Sequence, residues 1–331
     1  MLLSTPELVT TDYTEQSTEI MLRCPGCFRS IGYLKQAEAA VMDCFTCGFR
    51  FNCEGGIWKA LLRDRENHYS KFVNDYESIR ASEGRGSTKS DYYLALPYQD
   101  LSGLLSSQWA IRARTFRYIE RKILPRVASL TKTRLRVLDL GAGNCWMSYR
   151  LQSKGHTPVA VDLLTNDHDG LRAADHYTER LGALFPRVQA ELDDLPFADS
   201  QFDLAIFNAS FHYSVNYEQT LSEVRRVLRP AGSFVILDTP VYRLNEHGLR
   251  MVEEKHATFF KRYGFRSDAL PSIDFLDIAA IQKLQETLDI HWQVVKPWYG
   301  LGWHVRPLMS FLRGRRPPSR FWIFTGRFQS R

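Results

Sequence analysis

A glycine turn between two apolar runs constrains this 331-residue chain more than any other feature. The run from Leu135 to Leu140 carries an acid at Asp139 and breaks into Gly141-Ala142-Gly143. An amphipathic stretch follows, and a second apolar run, Pro158 to Val161, ends on Asp162. Strand, glycine turn, helix and a strand with a terminal carboxylate make half of a nucleotide-binding α/β sheet. Glycines let the backbone approach a ligand, and the following helix N-terminus offers free N–H groups. An acid about 20 residues beyond the turn is placed to accept hydrogen bonds from ribose hydroxyls.

Two nucleotide classes are excluded by what surrounds the turn. A dinucleotide fingerprint needs a third glycine where Trp146 stands, and no phosphate-gripping G-K-[ST] is present. Asp139 would repel a pyrophosphate and suits a cationic ligand. The run Asp139-Leu140-Gly141-Ala142-Gly143-Asn144 resembles the first motif of the class I S-adenosylmethionine methyltransferases, and Val159-Ala160-Val161-Asp162 resembles their second. Glu191-Leu192-Asp193-Asp194-Leu195-Pro196-Phe197, followed by Phe202-Asp203, is similar to a segment of their type 11 subgroup. Two positions depart from the pattern: Cys145 stands where glycine is usual, near the methionine end of the cofactor, and Glu191 where Asp is usual. The resemblance implies a seven-stranded, mostly parallel, Rossmann-like α/β sheet that binds S-adenosyl-L-methionine. It puts Asp139, Gly141, Ala142, Gly143, Asn144, Asp162, Leu163, Glu191, Leu192 and Asn208 around that cofactor.

Four cysteines form a second pattern, Cys24-Pro-Gly-Cys27 and Cys44-Phe-Thr-Cys47-Gly48, with sixteen residues between the pairs. Two thiolates from each of two tight turns complete a tetrahedron, so the spacing predicts a structural Zn²⁺ held by Cys24, Cys27, Cys44 and Cys47 in a zinc ribbon. Gly48 suits a knuckle residue at positive φ; the first pair has Phe28 there. A module this small is expected to need its metal to fold. Cys53 and Cys145 read as buried hydrophobes.

The chain divides into a flexible tail at 1–18, the ribbon at 19–55, a helical connector that covers the cofactor at 56–127, and the methyltransferase domain at 128–331. Within the connector, Trp58 to Ser78 has helical spacing, 83–90 is a Gly/Ser-rich linker or mobile loop, and a helix runs over about 104–124. Strands are predicted at 135–140, 158–162, 187–191, 203–207 and 232–238, with helices at about 146–154, 167–183 and 217–229 between them. Helices near 244–262 and 275–288 precede two last strands, at 291–295 and 321–325. No apolar run approaches the ~20 residues of a membrane span. The N-terminus lacks a signal-peptide pattern, so a cytoplasmic location is expected.

After the fourth strand the chain reads Asn208-Ala209-Ser210-Phe211-His212-Tyr213. The resemblance puts this loop beside the sulfonium and the acceptor. Asn208 and Phe211 take the first and fourth places of an N-P-P-Y motif whose prolines are missing, and His212 is the candidate general base for a hydroxyl acceptor. Positioning alone can also supply much of the rate. From Trp292 to Arg331 there are eight Lys or Arg and no acid, against a net charge of +6 for the whole chain. With interleaved aromatics this end suits RNA or an anionic surface, or is simply a solvated rim. Three functions stay open. One is methyl transfer to O or N of a small-molecule, lipid- or saccharide-linked acceptor. Another is rRNA or tRNA base methylation, because a ribbon before such a core is similar to the bacterial guanine-N1 rRNA methyltransferases. The last is a non-catalytic module that binds a protein partner.

Overall fold

The computed structural model describes residues 19–35, 37–131, 134–266 and 268–329. The expected tail at 1–18 and Arg331 of the basic end lie outside them. The strands are β1 (Met21–Arg23), β2 (Ser30–Tyr33), β3 (Ala39–Asp43), β4 (Arg50–Glu54), β5 (Ile57–Lys59), β6 (Arg136–Leu140), β7 (Thr157–Asp162), β8 (Arg187–Gln189), β9 (Phe202–Asn208), β10 (Leu228–Leu237), β11 (Val241–Tyr242), β12 (Leu276–Asp277), β13 (Ile290–Val295) and β14 (Ile323–Phe328).

Ten of them form one sheet in the order β13-β14-β10-β9-β6-β7-β8-β5-β4-β3. The seven from β13 to β8 are the expected sheet. β8, β7, β6, β9 and β10 run parallel, and β14 lies antiparallel to both β10 and β13. The central strands are buried on both faces, and alternate residues feed two cores. Leu138 and Ala205 point to one, where Leu221, Val224, Leu284 and Leu288 cover them. Val137, Leu204 and Ile206 point to the other, against Phe116, Ile123, Met147 and Leu151.

β5 is parallel to β8, so β5, β4 and β3 of the cysteine module continue the same sheet. Ile20, Leu22, Phe51 and Trp58 share a core with Val188, Leu195 and Phe197. Arg23 of β1 pairs with Asp194 and Glu223 at 2.8 and 3.1 Å. Trp58 is therefore a strand residue rather than a helical one, and the helix begins later, spanning Arg63–Ser82.

Other elements differ from expectation in detail. The helix at Ser106–Tyr118 passes through a π turn, Ile119–Ile123, and resumes as Leu124–Thr131 instead of ending at Pro125. Pro125 has no N–H to give the preceding turn, and the π turn sits directly before it. The region 167–183 holds a 3₁₀ helix, Leu171–Tyr177, and one α turn, Thr178–Leu181. The glycine-rich stretch 83–90 is packed: the Tyr93 hydroxyl accepts from Ser87 N and donates to Ser87 O, and Gly86 lies against the His168 backbone. A helix that the sequence pattern did not suggest spans Leu301–Leu312. No helix among the described residues is long and apolar enough to cross a membrane.

Candidate functional site

The carboxyl ends of β6, β7, β8 and β9 open on a cleft. Ligands of open α/β sheets lie at this end. Gly141 and Gly143 take φ of +71° and +52°. A Cβ on Gly141 would stand 2.3 Å from that of Ser210, whose hydroxyl donates to Leu140 O, so only glycine fits here. At the end of β7, Asp162 accepts from Gly143 N at 2.7 Å and from Leu164 N at 2.9 Å. Burial raises its carboxyl to about 6, while those two N–H groups oppose the shift.

Of the ten residues expected around the cofactor, Gly141, Ala142, Gly143, Asn144, Asp162, Leu163, Glu191, Leu192 and Asn208 line this cleft. Asp139 does not. It sits beneath the turn, accepts from Ser148 Oγ at 2.7 Å, and is raised to about 7 by burial. Cys145 is the buried hydrophobe expected: it takes the left-handed φ of 61° that glycine would favour, and its side chain packs in the core rather than at the cleft. Glu191 is held from the wall by Arg65 and by the Tyr69 hydroxyl, the latter at 2.8 Å. His212, the candidate base, is likewise not among the lining residues. Burial lowers its imidazole to about 4, so it is neutral at pH 7.

Much of the remaining wall comes from the connector at 56–127, whose individual lining residues the sequence did not single out. Tyr69, Phe72, Tyr76 and Arg80 lie at helical spacing on Arg63–Ser82 and turn one helix face over the cleft. Tyr76 packs edge-on against Tyr213 of the β9 loop, ring centroids 5.6 Å apart. Ser106–Tyr118 supplies Trp109 and Arg112, and the packed glycine loop supplies Arg85. Aromatic spacing at 69, 72 and 76 is visible in the sequence, but a core face gives the same pattern. Trp109 Nε1, Arg112 Nη1 and both polar side-chain atoms of Asn208 are buried without a protein partner. Buried polar groups normally find partners, so this set points to a bound molecule.

The second cluster joins Cys24, Cys27, Cys44 and Cys47, whose sulfurs all lie within 4.8 Å of one another. Cys24 to Cys47 is 3.4 Å and Cys27 to Cys44 is 3.5 Å. Zinc–sulfur bonds of ~2.3 Å span a tetrahedron with edges of about 3.8 Å, so the donor set fits that metal. Both knuckles close alike: Phe28 N donates to Cys24 O and Gly48 N to Cys44 O, at 2.9 and 2.8 Å. Phe28 takes φ 62° and Gly48 φ 76°, so the same turn forms with and without glycine.

A sheet of this order, with a glycine turn and an acid at the ends of its first two core strands, defines a Rossmann-like methyltransferase fold. Residues 138–236 match the Methyltransf_11 family model, a methyltransferase domain. A malonyl-[acyl-carrier protein] O-methyltransferase of Erwinia pyrifoliae is 35% identical over 30% of this chain and 35% of its own length. A demethylmenaquinone methyltransferase of Mycobacterium marinum is 33% identical over 42% of this chain and 51% of its own. The chain thus spans between a third and a half of these curated relatives. A structure of the Burkholderia thailandensis 1,6-didemethyltoxoflavin-N1-methyltransferase, bound to its substrate and S-adenosylhomocysteine, matches with TM-score 0.48 at 15% identity, covering 91% of this chain and 99% of that one.

Proposed function

We propose that the chain moves a methyl group from S-adenosyl-L-methionine to an O or N atom of a small-molecule, lipid- or saccharide-linked acceptor. The observation that carries this reading is the convergence of the glycine turn, Asp162, Glu191 and Asn208 on one cleft. Asp162 would hold the ribose, Glu191 and Leu192 the adenine, and the turn from Gly141 to Asn144 the methionine end. When bound, the cofactor supplies a methyl already activated on a sulfonium. An O or N acceptor would be held against the aromatic side of the cleft, and its proton would leave to solvent. Orientation by Tyr76, Tyr213 and Trp109 on the cleft wall is assigned the main part of the rate. An aromatic wall favours an acceptor with apolar or planar parts. Among the relatives, a fatty-acid O-methyltransferase and the demethylmenaquinone enzyme are named for such molecules. RNA has less support, since Arg23 and Arg50 of the ribbon are both paired to carboxylates. Zn²⁺ is proposed as the structural metal of the four cysteines.

Labelled methyl incubated with a cell extract should enter the lipid or small-molecule fraction; label confined to RNA would refute the acceptor class. Asp162→Ala should abolish binding of S-adenosylhomocysteine in calorimetry, and unchanged affinity would refute the cofactor site.

A further inference from the structure

The helix Leu301–Leu312 presents its apolar face to solvent. On a globular surface the apolar stripe of a helix normally faces the core. Here Trp303, Arg306 and Ser310, spaced i, i+3 and i+7, form the half-buried side against the protein, and no residue of the helix is buried. Opposite them stand Leu301, Val305, Leu308 and Leu312, exposed by 75, 48, 59 and 69%, with Phe311 at 79% beside them. These residues make a stripe about 16 Å long at 1.5 Å per residue. A continuous exposed apolar stripe marks an interaction surface rather than scattered surface hydrophobes.

The charge around it selects the partner. No Asp or Glu occurs anywhere from Trp292 to Arg331. Arg313 and Arg315 follow the helix, and both are exposed to solvent. A helix with one aliphatic face and arginines at its border fits the headgroup boundary of an anionic bilayer. A nucleic acid would call for stacking or hydrogen-bonding groups along the contact face, and four of the five stripe residues, Leu301, Val305, Leu308 and Leu312, offer neither.

The position of the helix adds to the argument. Arg114 donates to Trp298 O at 2.6 Å, and its guanidinium lies 6.0 Å from the Tyr299 ring. Arg114 belongs to Ser106–Tyr118, the helix that also gives Trp109 and Arg112 to the cleft. The apolar stripe is thereby tied to the element that forms one wall of the cleft.

We propose that Leu301–Leu312 is a peripheral anchor that lies in an anionic lipid surface and brings the cleft to acceptors held there. The test is co-sedimentation of the full chain with vesicles of phosphatidylglycerol and, separately, of phosphatidylcholine. The chain should sediment with the first and not the second. Leu308→Glu with Phe311→Glu should reduce partitioning at least tenfold, and each of Arg313→Gln and Arg315→Gln by about fivefold at low salt. None of these side chains is buried, so the variants should keep the parent's melting temperature and its affinity for S-adenosylhomocysteine; that separates failure of the anchor from failure of the cofactor reading. The proposal is overturned if the parent does not bind phosphatidylglycerol vesicles. It is also overturned if sedimentation velocity shows a dimer that the double glutamate variant dissolves, or if those glutamates abolish binding to bulk RNA while leaving vesicle binding intact.

Discussion

Asp162 is placed between opposing influences. Burial favours its neutral form, while the N–H groups of Gly143 and Leu164 favour the carboxylate, and the balance lies at about 6. Accepting two ribose hydroxyls requires the ionised form, so ligand binding must release any proton held there. Affinity for S-adenosylhomocysteine should therefore be flat above pH 7 and fall about tenfold per unit as pH drops below 6. Calorimetry across pH 5 to 8 checks this, and Asp162→Asn should bind weakly with no such slope. A parent whose affinity is equal at pH 5 and 7.5 would show that Asp162 does not meet the ligand as a carboxylate. At the same scale, Gly141 shows why the turn tolerates no side chain. Gly141→Ala would push a methyl into Ser210 at an unfavourable φ, and it should lower both stability and ligand affinity.

At the scale of elements, the helix Arg63–Ser82 gives the cleft its aromatic side. Removing Phe72 and Tyr76 together leaves the glycine turn and Asp162 untouched. The double alanine variant should raise the KM of an identified acceptor at least tenfold while changing the affinity for S-adenosylhomocysteine by less than threefold, measured by steady-state kinetics and calorimetry. Which elements were legible follows from how local their signals are. The strands at 135–140, 158–162 and 203–207 announce themselves by apolar runs that break at turns, and the glycine turn and Asp162 come with them. Trp58 was misplaced because Trp58, Leu61 and Leu62 satisfy a helical spacing, although the first belongs to β5 and only pairing with β8 reveals it. Leu301–Leu312 escaped because Pro307 interrupts it and its apolar stripe points outward. Asp139 follows from the glycine-turn motif itself and His212 from the loop after the fourth strand; neither lines the cleft, because both side chains are buried, which the residue types alone do not reveal.

For the whole molecule, the important departure is that the cysteine module is not a bead on a string. It shares a core with the methyltransferase sheet, and the segment after β5 leads into the helix that holds Glu191 through Arg65 and Tyr69. The cysteine cluster and the cleft are therefore joined through one core and one helix. Freshly purified protein should contain about one zinc per chain by metal analysis. Stripping it should loosen the β3–β5 edge and weaken S-adenosylhomocysteine binding, though less than Asp162→Ala does, while the circular dichroism of the main sheet survives. Loss of all secondary structure on chelation, or no change in affinity, would contradict this coupling.

The same continuation of the sheet also decides where the sheet stops. β8 has three residues, and its outer side would present unpaired N–H and C=O groups if β5 did not cover it. With β5, β4 and β3 in place the border moves out to a strand that ends on Asp43, ion-paired with Arg50. The knuckles thus act as a selvage. A chain starting at Ala60 would offer its raw border to the next copy, and sedimentation velocity should show it self-associating where the full chain does not.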